Sequence, residues 1–155
     1  MKRTLALVIT ILCAAYLWIA NRPAQFRTEY TAILHYLKSA NDQLTIDLIV
    51  DGSCITLMPE NQTLCHAIQQ QMVKADVYRL LYSNRKPEYL DLRVSATPIS
   101  GSRSFVFSEN GYTEEAQVDA LEKSIKEAKK TAGSSIHLCG KLDLKGWFEC
   151  YNSDS

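Results

Sequence analysis

Hydrophobic residues recur along this chain at two spacings, and the spacing assigns the elements. From Leu44 to Val50 they alternate, with Leu44, Ile46, Leu48 and Val50 set against Thr45 and Asp47. Alternation of this kind sends one set of side chains to the covered face of a half-buried strand. Asp51-Gly52 then signals a turn into Cys54-Ile55-Thr56-Leu57-Met58. Pro59-Glu60-Asn61 opens a helix, because Leu64, Ile68, Met72 and Ala75 follow at helical intervals. Val77–Tyr82 and Tyr89–Ala96 predict two strands joined across Ser83-Asn84-Arg85-Lys86-Pro87. A shorter strand at Ser104–Phe107 follows a loop marked by Pro98 and Gly101.

The stretch from Phe26 to Lys38 fits both periods. Phe26, Tyr30, Ile33, Leu34 and Leu37 form a helical stripe with Arg27, Glu29, Thr31 and Lys38 opposite. Tyr30, Ala32, Leu34 and Tyr36 alternate as a strand would; the stripe is longer and favours helix. A further helix is expected from Thr113, which can cap it, with Glu114 and Glu115 in its first turn and Lys129 and Lys130 in its last. That arrangement complements the helix dipole. Val118, Leu121, Ile125 and Ala128 make its buried stripe, Gly133 ends it, and Glu122 reaches Lys126 on the wet side. Strands largely in hairpin order, with two or three helices among them, predict an α+β domain whose antiparallel sheet is covered on one side.

A segment of another kind precedes these elements. Lys2 and Arg3 lead into an uncharged, largely apolar run from Thr4 to Ala20, ended by Asn21-Arg22-Pro23. Roughly seventeen residues at 1.5 Å each just reach across a hydrocarbon core. Tyr16 and Trp18 suit a membrane interface. A cleavable signal wants a small residue three positions before the cut, where Trp18 or Arg22 would stand for cuts after Ala20 or Ala24. Leu12 before Cys13 likewise fits a lipoprotein signal poorly. The expectation is a transmembrane signal-anchor over residues 1–22, an extracytoplasmic domain over 23–151 and a flexible tail over 152–155. Secretion after cleavage is the alternative.

Four cysteines follow the leader: Cys54, Cys65, Cys139 and Cys150. Asp143 and Gly146 are favoured at the first and fourth places of a type I turn. A hairpin folded about Leu144-Lys145 sets Cys139 opposite Cys150, and in a non-hydrogen-bonded pair the Cα atoms lie about 4.5 Å apart. The same register collects Ile136, Leu138, Leu142, Trp147 and Tyr151 on one face. Cys54–Cys65 follows by elimination. Two bridges in an exported chain are a structural framework, and no Cys-x-x-Cys signals zinc or redox chemistry.

Charge narrows the partners. Without Lys2 and Arg3 the 17 basic residues fall to 15 against 17 acidic ones, which leaves no electrostatic basis for nucleic acid. His35, His66 and His137 are the only histidines, and none pairs with another at a ligand spacing. Neighbouring Cys65 and His66 would point apart on a helix. No phosphate loop, nucleophile elbow or metal motif is present, so no catalytic, cofactor or metal residue is assigned. An enzyme would need His66 or His137 beside a carboxylate such as Asp47 or Glu149. Asp91 and Arg93 are expected as a wet surface pair. The loops Ser100–Ser104, Glu109–Tyr112 and Asp143–Gly146 are the candidate partner-binding surfaces, with Arg103, Glu109, Asn110, Tyr112 and Lys145 as contacts and Phe148 as the exposed aromatic.

The layout, a basic-apolar leader before one disulfide-braced domain, resembles that of small bacterial envelope proteins such as inhibitors, toxin-immunity proteins and accessory subunits. The resemblance implies a membrane-anchored periplasmic module that binds another protein. An accessory subunit of a membrane-embedded secretion, conjugation or envelope complex is the alternative, and an envelope enzyme the second alternative.

Overall fold

The computed structural model describes residues 9–11, 25–39, 45–54, 61–97, 101–110, 117–131 and 135–153. In chain order the elements are α1 (Thr28–Ser39), β1 (Thr45–Ile49), α2 (Gln62–Lys74), β2 (Arg79–Ser83) and β3 (Tyr89–Thr97). They continue as β4 (Gly101–Ser108), β5 (Gln117–Val118), α3 (Leu121–Thr131), β6 (Ile136–Lys141) and β7 (Trp147–Ser153). The strands form one sheet in the order β1-β2-β3-β4-β7-β6-β5. Every pairing is antiparallel except that of β5 with β6. Strands β1 to β4 make a meander, and the β6–β7 hairpin is wedged between β4 and β5. The fold is therefore α+β, as the periodicity predicts.

One face of the sheet carries the core. The ambiguous stretch is helical, and α1 buries Tyr30, Ile33, Leu34 and Leu37, the expected stripe. Helix α2 buries Cys65, Ile68 and Met72 beside it. Both meet Ile46, Leu48, Leu80, Leu90, Leu92 and Phe105 from the strands. Each such large side chain, fully buried, contributes roughly 1.5–3 kcal/mol. Aromatic rings fasten α1 to the sheet: Phe105 lies 4.9 Å from Tyr30 and 5.5 Å from Phe26, and Phe26 lies 5.0 Å from Trp147, centroid to centroid. Helix α3 joins the same side, since a Cβ on Gly140 would come within 3.0 Å of Leu121 Cβ.

Both bridges form as expected, Cys139–Cys150 from the hairpin turn and Cys54–Cys65 by elimination. Cys139 stands opposite Cys150 in the β6–β7 ladder. Their Cα atoms are 4.1 Å apart, and those of Cys54 and Cys65 are 5.7 Å apart. The hairpin closes in the expected register about Leu144-Lys145, the Leu142 N–H donating to the Trp147 carbonyl at 3.0 Å. Only the tight turn inside the loop runs one residue later, through the Trp147 N–H donating to the Leu144 carbonyl at 3.1 Å. Gly146 takes the left-handed conformation this needs, with φ of +80°. Its carbonyl accepts from the Ser108 N–H at 2.9 Å, hooking the tip to the end of β4.

Several expectations are corrected. Helix α3 begins at Leu121, not in the first turn after Thr113, and Val118 belongs to a strand. Gln117 and Val118 pair with Cys139 and Gly140 along the free edge of β6. An edge with unmet backbone groups outweighs a local helical stripe. Thr113, Glu114, Glu115 and Gly133 lie outside the described residues. Strand β4 is longer than Ser104–Phe107, running from Gly101 to Ser108. Asn152 and Ser153, expected to fray, belong to β7. Of the expected spanning segment only residues 9–11 are described, and they are helical. No helix among the described residues is long and apolar enough to cross a membrane.

Gly101 shows how tightly β4 closes on β7. Its φ is +78°, and a Cβ there would lie 2.5 Å from the Asn152 carbonyl oxygen and 2.7 Å from the Tyr151 hydroxyl. Gly101→Ala is expected to lower stability by about 1–3 kcal/mol. A urea unfolding midpoint equal to that of the wild type would contradict the placement.

Candidate functional site

Two of the three loops singled out from the sequence meet. Glu109 and Asn110 turn the chain at the end of β4, where the Glu109 N–H donates to the Glu88 carbonyl at 3.2 Å. Because the hairpin tip is hooked to the same end, these residues and Lys141, Leu142, Asp143, Lys145 and Gly146 line one open cleft of about 580 Å³. A second hollow of about 600 Å³ continues past Gln117, Val118 and Asp119. The rim mixes charge, with Glu109 and Asp143 against Lys141 and Lys145. Leu144 at the tip is 47% exposed. Sequence reading missed Leu144 as a contact residue, although a leucine at the centre of a polar turn was the available signal.

Other site residues are placed differently. Phe148, expected as the exposed aromatic, is 3% exposed and packs with Val106, Cys139 and Cys150. Strand alternation puts it on the face opposite Trp147, where it floors the cleft. Arg103 lies on the helix-bearing face, towards the other end of β4. It donates to Glu149 at 2.6 Å and Glu122 at 2.7 Å, with a side chain 14% exposed. Burial opposes its charge, but the two carboxylates outweigh that and hold its pKa above the ordinary value. Burial pushes the Glu149 carboxyl up, with Arg103 pulling it down. Arg103 is therefore a clamp between α3 and the sheet, and Glu122 turns to it. Tyr112 lies outside the described residues.

The face of the sheet turned away from the helices holds a second feature. Asp91 and Arg93 from β3, Ser102 and Ser104 from β4, Asn152 from β7 and His137 from β6 surround a depression of about 320 Å³. The register explains the convergence, since Arg93 faces Ser104 and Asn152 faces both Ser102 and His137. The bulge at Val94, which shifts the β3–β4 register between Arg93 and Ser95, ends the regular ladder beside it. Asp91 pairs with Arg93 through Oδ2 at 3.3 Å. It is not the wet surface group expected: it is 6% exposed, and its Oδ1 has no hydrogen-bond partner. Burial raises its pKa, against the pull of Arg93 and a hydrogen bond from Ser104. Across the β2–β3 pairing, Arg79 opposes Arg93 and is held by its own aspartate, Asp47, at 2.7 Å.

A buried acid whose folded pKa is raised is most stabilising while protonated, and that stability falls as pH rises through the raised value. Asp91→Asn removes the cost of ionisation. At pH 7 the variant is expected to be more stable by about 1 kcal/mol. The gap should close as pH falls below the ordinary aspartate range, where the wild-type carboxyl is neutral in both states. Denaturant midpoints measured across pH check this, and a gap that widens on acidification would contradict it.

The sheet separates two of the acid–histidine pairs an enzyme would use, His137 with Glu149 and His66 with Asp47. His137 projects from the helix-free face and Glu149 from the helix-bearing one, by strand alternation. His66 is exposed on α2, which packs on the helix-bearing face, whereas Asp47 alternates with the buried Ile46 and Leu48 and faces the other way. Neither pairing forms. Among the described residues no three histidine, cysteine or acidic side chains gather as a metal site. The described residues thus define a disulfide-braced α+β domain with α1, α2 and α3 on one side of the sheet. No family model, no curated protein and no solved structure matches the chain.

Proposed function

We propose that this chain is a small membrane-anchored, extracytoplasmic protein-binding module of the bacterial envelope, acting as an inhibitor or a toxin-immunity protein. In this reading residues 1–22 hold it in the inner membrane as a single pass, and the domain faces the periplasm. The cleft at the hairpin end carries the proposal. Two chain segments remote in sequence are hooked together there, giving a cleft with mixed charge on its rim. Leu144 stands exposed at the hairpin tip beside it, between Asp143 and Lys145. An apolar anchor beside charged groups is common in protein contacts. The two bridges support an oxidising compartment.

The test is capture of the full chain from its native membrane. Leu144→Asp combined with Lys145→Glu is expected to reduce recovery of the partner at least tenfold, roughly the effect of one hot-spot residue. Stability should stay within about 0.5 kcal/mol, since both positions are on the surface. Exchanging residues 4–20 for an unrelated apolar helix should leave recovery unchanged. Loss on that exchange, with the tip variant neutral, would instead make the chain an accessory subunit packed through its anchor. Free thiols at all four bridged positions in natively isolated protein would overturn the export on which the proposal rests.

A further inference from the structure

The depression on the face turned away from α1, α2 and α3 is built from four strands and shares no lining residue with the hairpin-end cleft. Its chemistry selects among ligands. An anion would meet the Asp91 carboxylate at the floor. A metal ion would find one carboxylate, already paired with Arg93 Nε, and one imidazole, His137, already in contact with Asn152. Among the described residues no third histidine, cysteine or acidic ligand joins them. An ammonium group would bring a second cation to that same carboxylate. What remains is a neutral ligand that can both donate and accept. A sugar hydroxyl does both, and neighbouring hydroxyls on one ring match a carboxylate beside a guanidinium, one donating and one accepting.

The unpartnered oxygen gives the second, independent pointer. Asp91 Oδ1 is shut off from solvent without a hydrogen-bond partner, and such groups in folded proteins call for an explanation. The terminal torsion of aspartate is broad, so the carboxyl can present that oxygen to a donor seated against the pair. Ser102 and the Asn152 amide nitrogen add groups able to meet further hydroxyls, while Ser104 is buried against Asp91 and the Asn152 Oδ1 contacts His137. We propose that this depression binds a saccharide through the Asp91–Arg93 pair. The source is either a free oligosaccharide or the glycan of an envelope polymer.

The full chain, isotopically labelled and held in lipid nanodiscs free of sugar detergents, is titrated with maltotriose and with triacetylchitotriose. Retention on insoluble chitin is measured in parallel. Saturable shifts at the amides of Asp91, Arg93, Ser104 and Asn152 are expected with a free sugar; retention on chitin alone indicates the polymer source. Asp91→Asn, which keeps the shape and is expected to fold more stably, should weaken binding about tenfold, and so should Arg93→Lys. Three results would overturn the proposal: no saturable response to either sugar together with no retention on chitin, binding by both variants as tight as that of the wild type, or a response to methylammonium or inorganic phosphate that the sugars do not give. None of these bears on partner capture through Leu144 and Lys145, so the two sites are tested apart.

Discussion

Replacing Cys54, Cys65, Cys139 and Cys150 together by alanine, or reducing both bridges, is expected to remove about 5–6 kcal/mol of stability. Each bridge joins residues 11 apart in sequence. A loop of that size, released in the unfolded chain, restores entropy worth roughly 3 kcal/mol at 25 °C. One bridge ties the β1 side of the domain to α2 and the other joins β6 to β7 near the opposite edge of the sheet, so their effects should add. Small domains are stable by only about 5–15 kcal/mol, so the cysteine-free chain should be largely unfolded in the warm. Guanidinium unfolding with and without dithiothreitol measures the difference. Peptide mapping without reduction must show the 54–65 and 139–150 linkages. A loss below about 2 kcal/mol would mean that the packed core, rather than the bridges, holds the fold.

Phe105→Ala should be the most damaging single substitution, costing about 3–5 kcal/mol. Phe105 has no exposed surface. It is where the sheet meets α1, between the rings of Phe26 and Tyr30. Truncation removes buried apolar area and leaves a cavity among rings that cannot collapse into it without moving the helix. Phe105→Leu refills most of that volume and should cost about 1–1.5 kcal/mol. Urea unfolding followed by circular dichroism gives both values. A cost near zero for the alanine variant would show that α1 does not cover this part of the sheet. Tyr30 reports on the same contact: burial pushes its hydroxyl up to about 12, with Arg27 opposing, so opening of α1 should return it towards the ordinary tyrosine range.

What could be read along the chain was whatever depends on near neighbours. The stripe of Tyr30, Ile33, Leu34 and Leu37, the alternation of Ile46 and Leu48 and the Asp143–Gly146 turn each follow from a local repeat or local turn chemistry. The Cys139–Cys150 register came with that turn, because a hairpin fixes its own pairing. The leader's spacing and charge set an expectation about the membrane by the same local reasoning.

The candidate sites were only half legible for the same reason. Loops announce themselves by their residues, so Glu109, Asn110 and Lys145 could be named, but nothing local says that their loops meet. That depends on β7 lying beside β4. Phe148 was misread as exposed because Trp147 and Tyr151 take the packed face of its strand, yet Val106, Cys139 and Cys150 bury it on the other. Arg103 was misread as a free contact because its loop is polar, while α3 and β7 bury it. Gln117 and Val118 carry a helical pattern that a free sheet edge overrode. Asp91 looks like any strand aspartate until Ser104, Arg93 and Val106 close around it and remove its water. Sequence alone determined most of the elements and the Cys139–Cys150 register, since periodicity and turn geometry act over a few residues, and left Cys54–Cys65 to elimination. Tertiary structure alone decided which strands are neighbours, and with that which side chains are buried, charged against one another, or brought to one site.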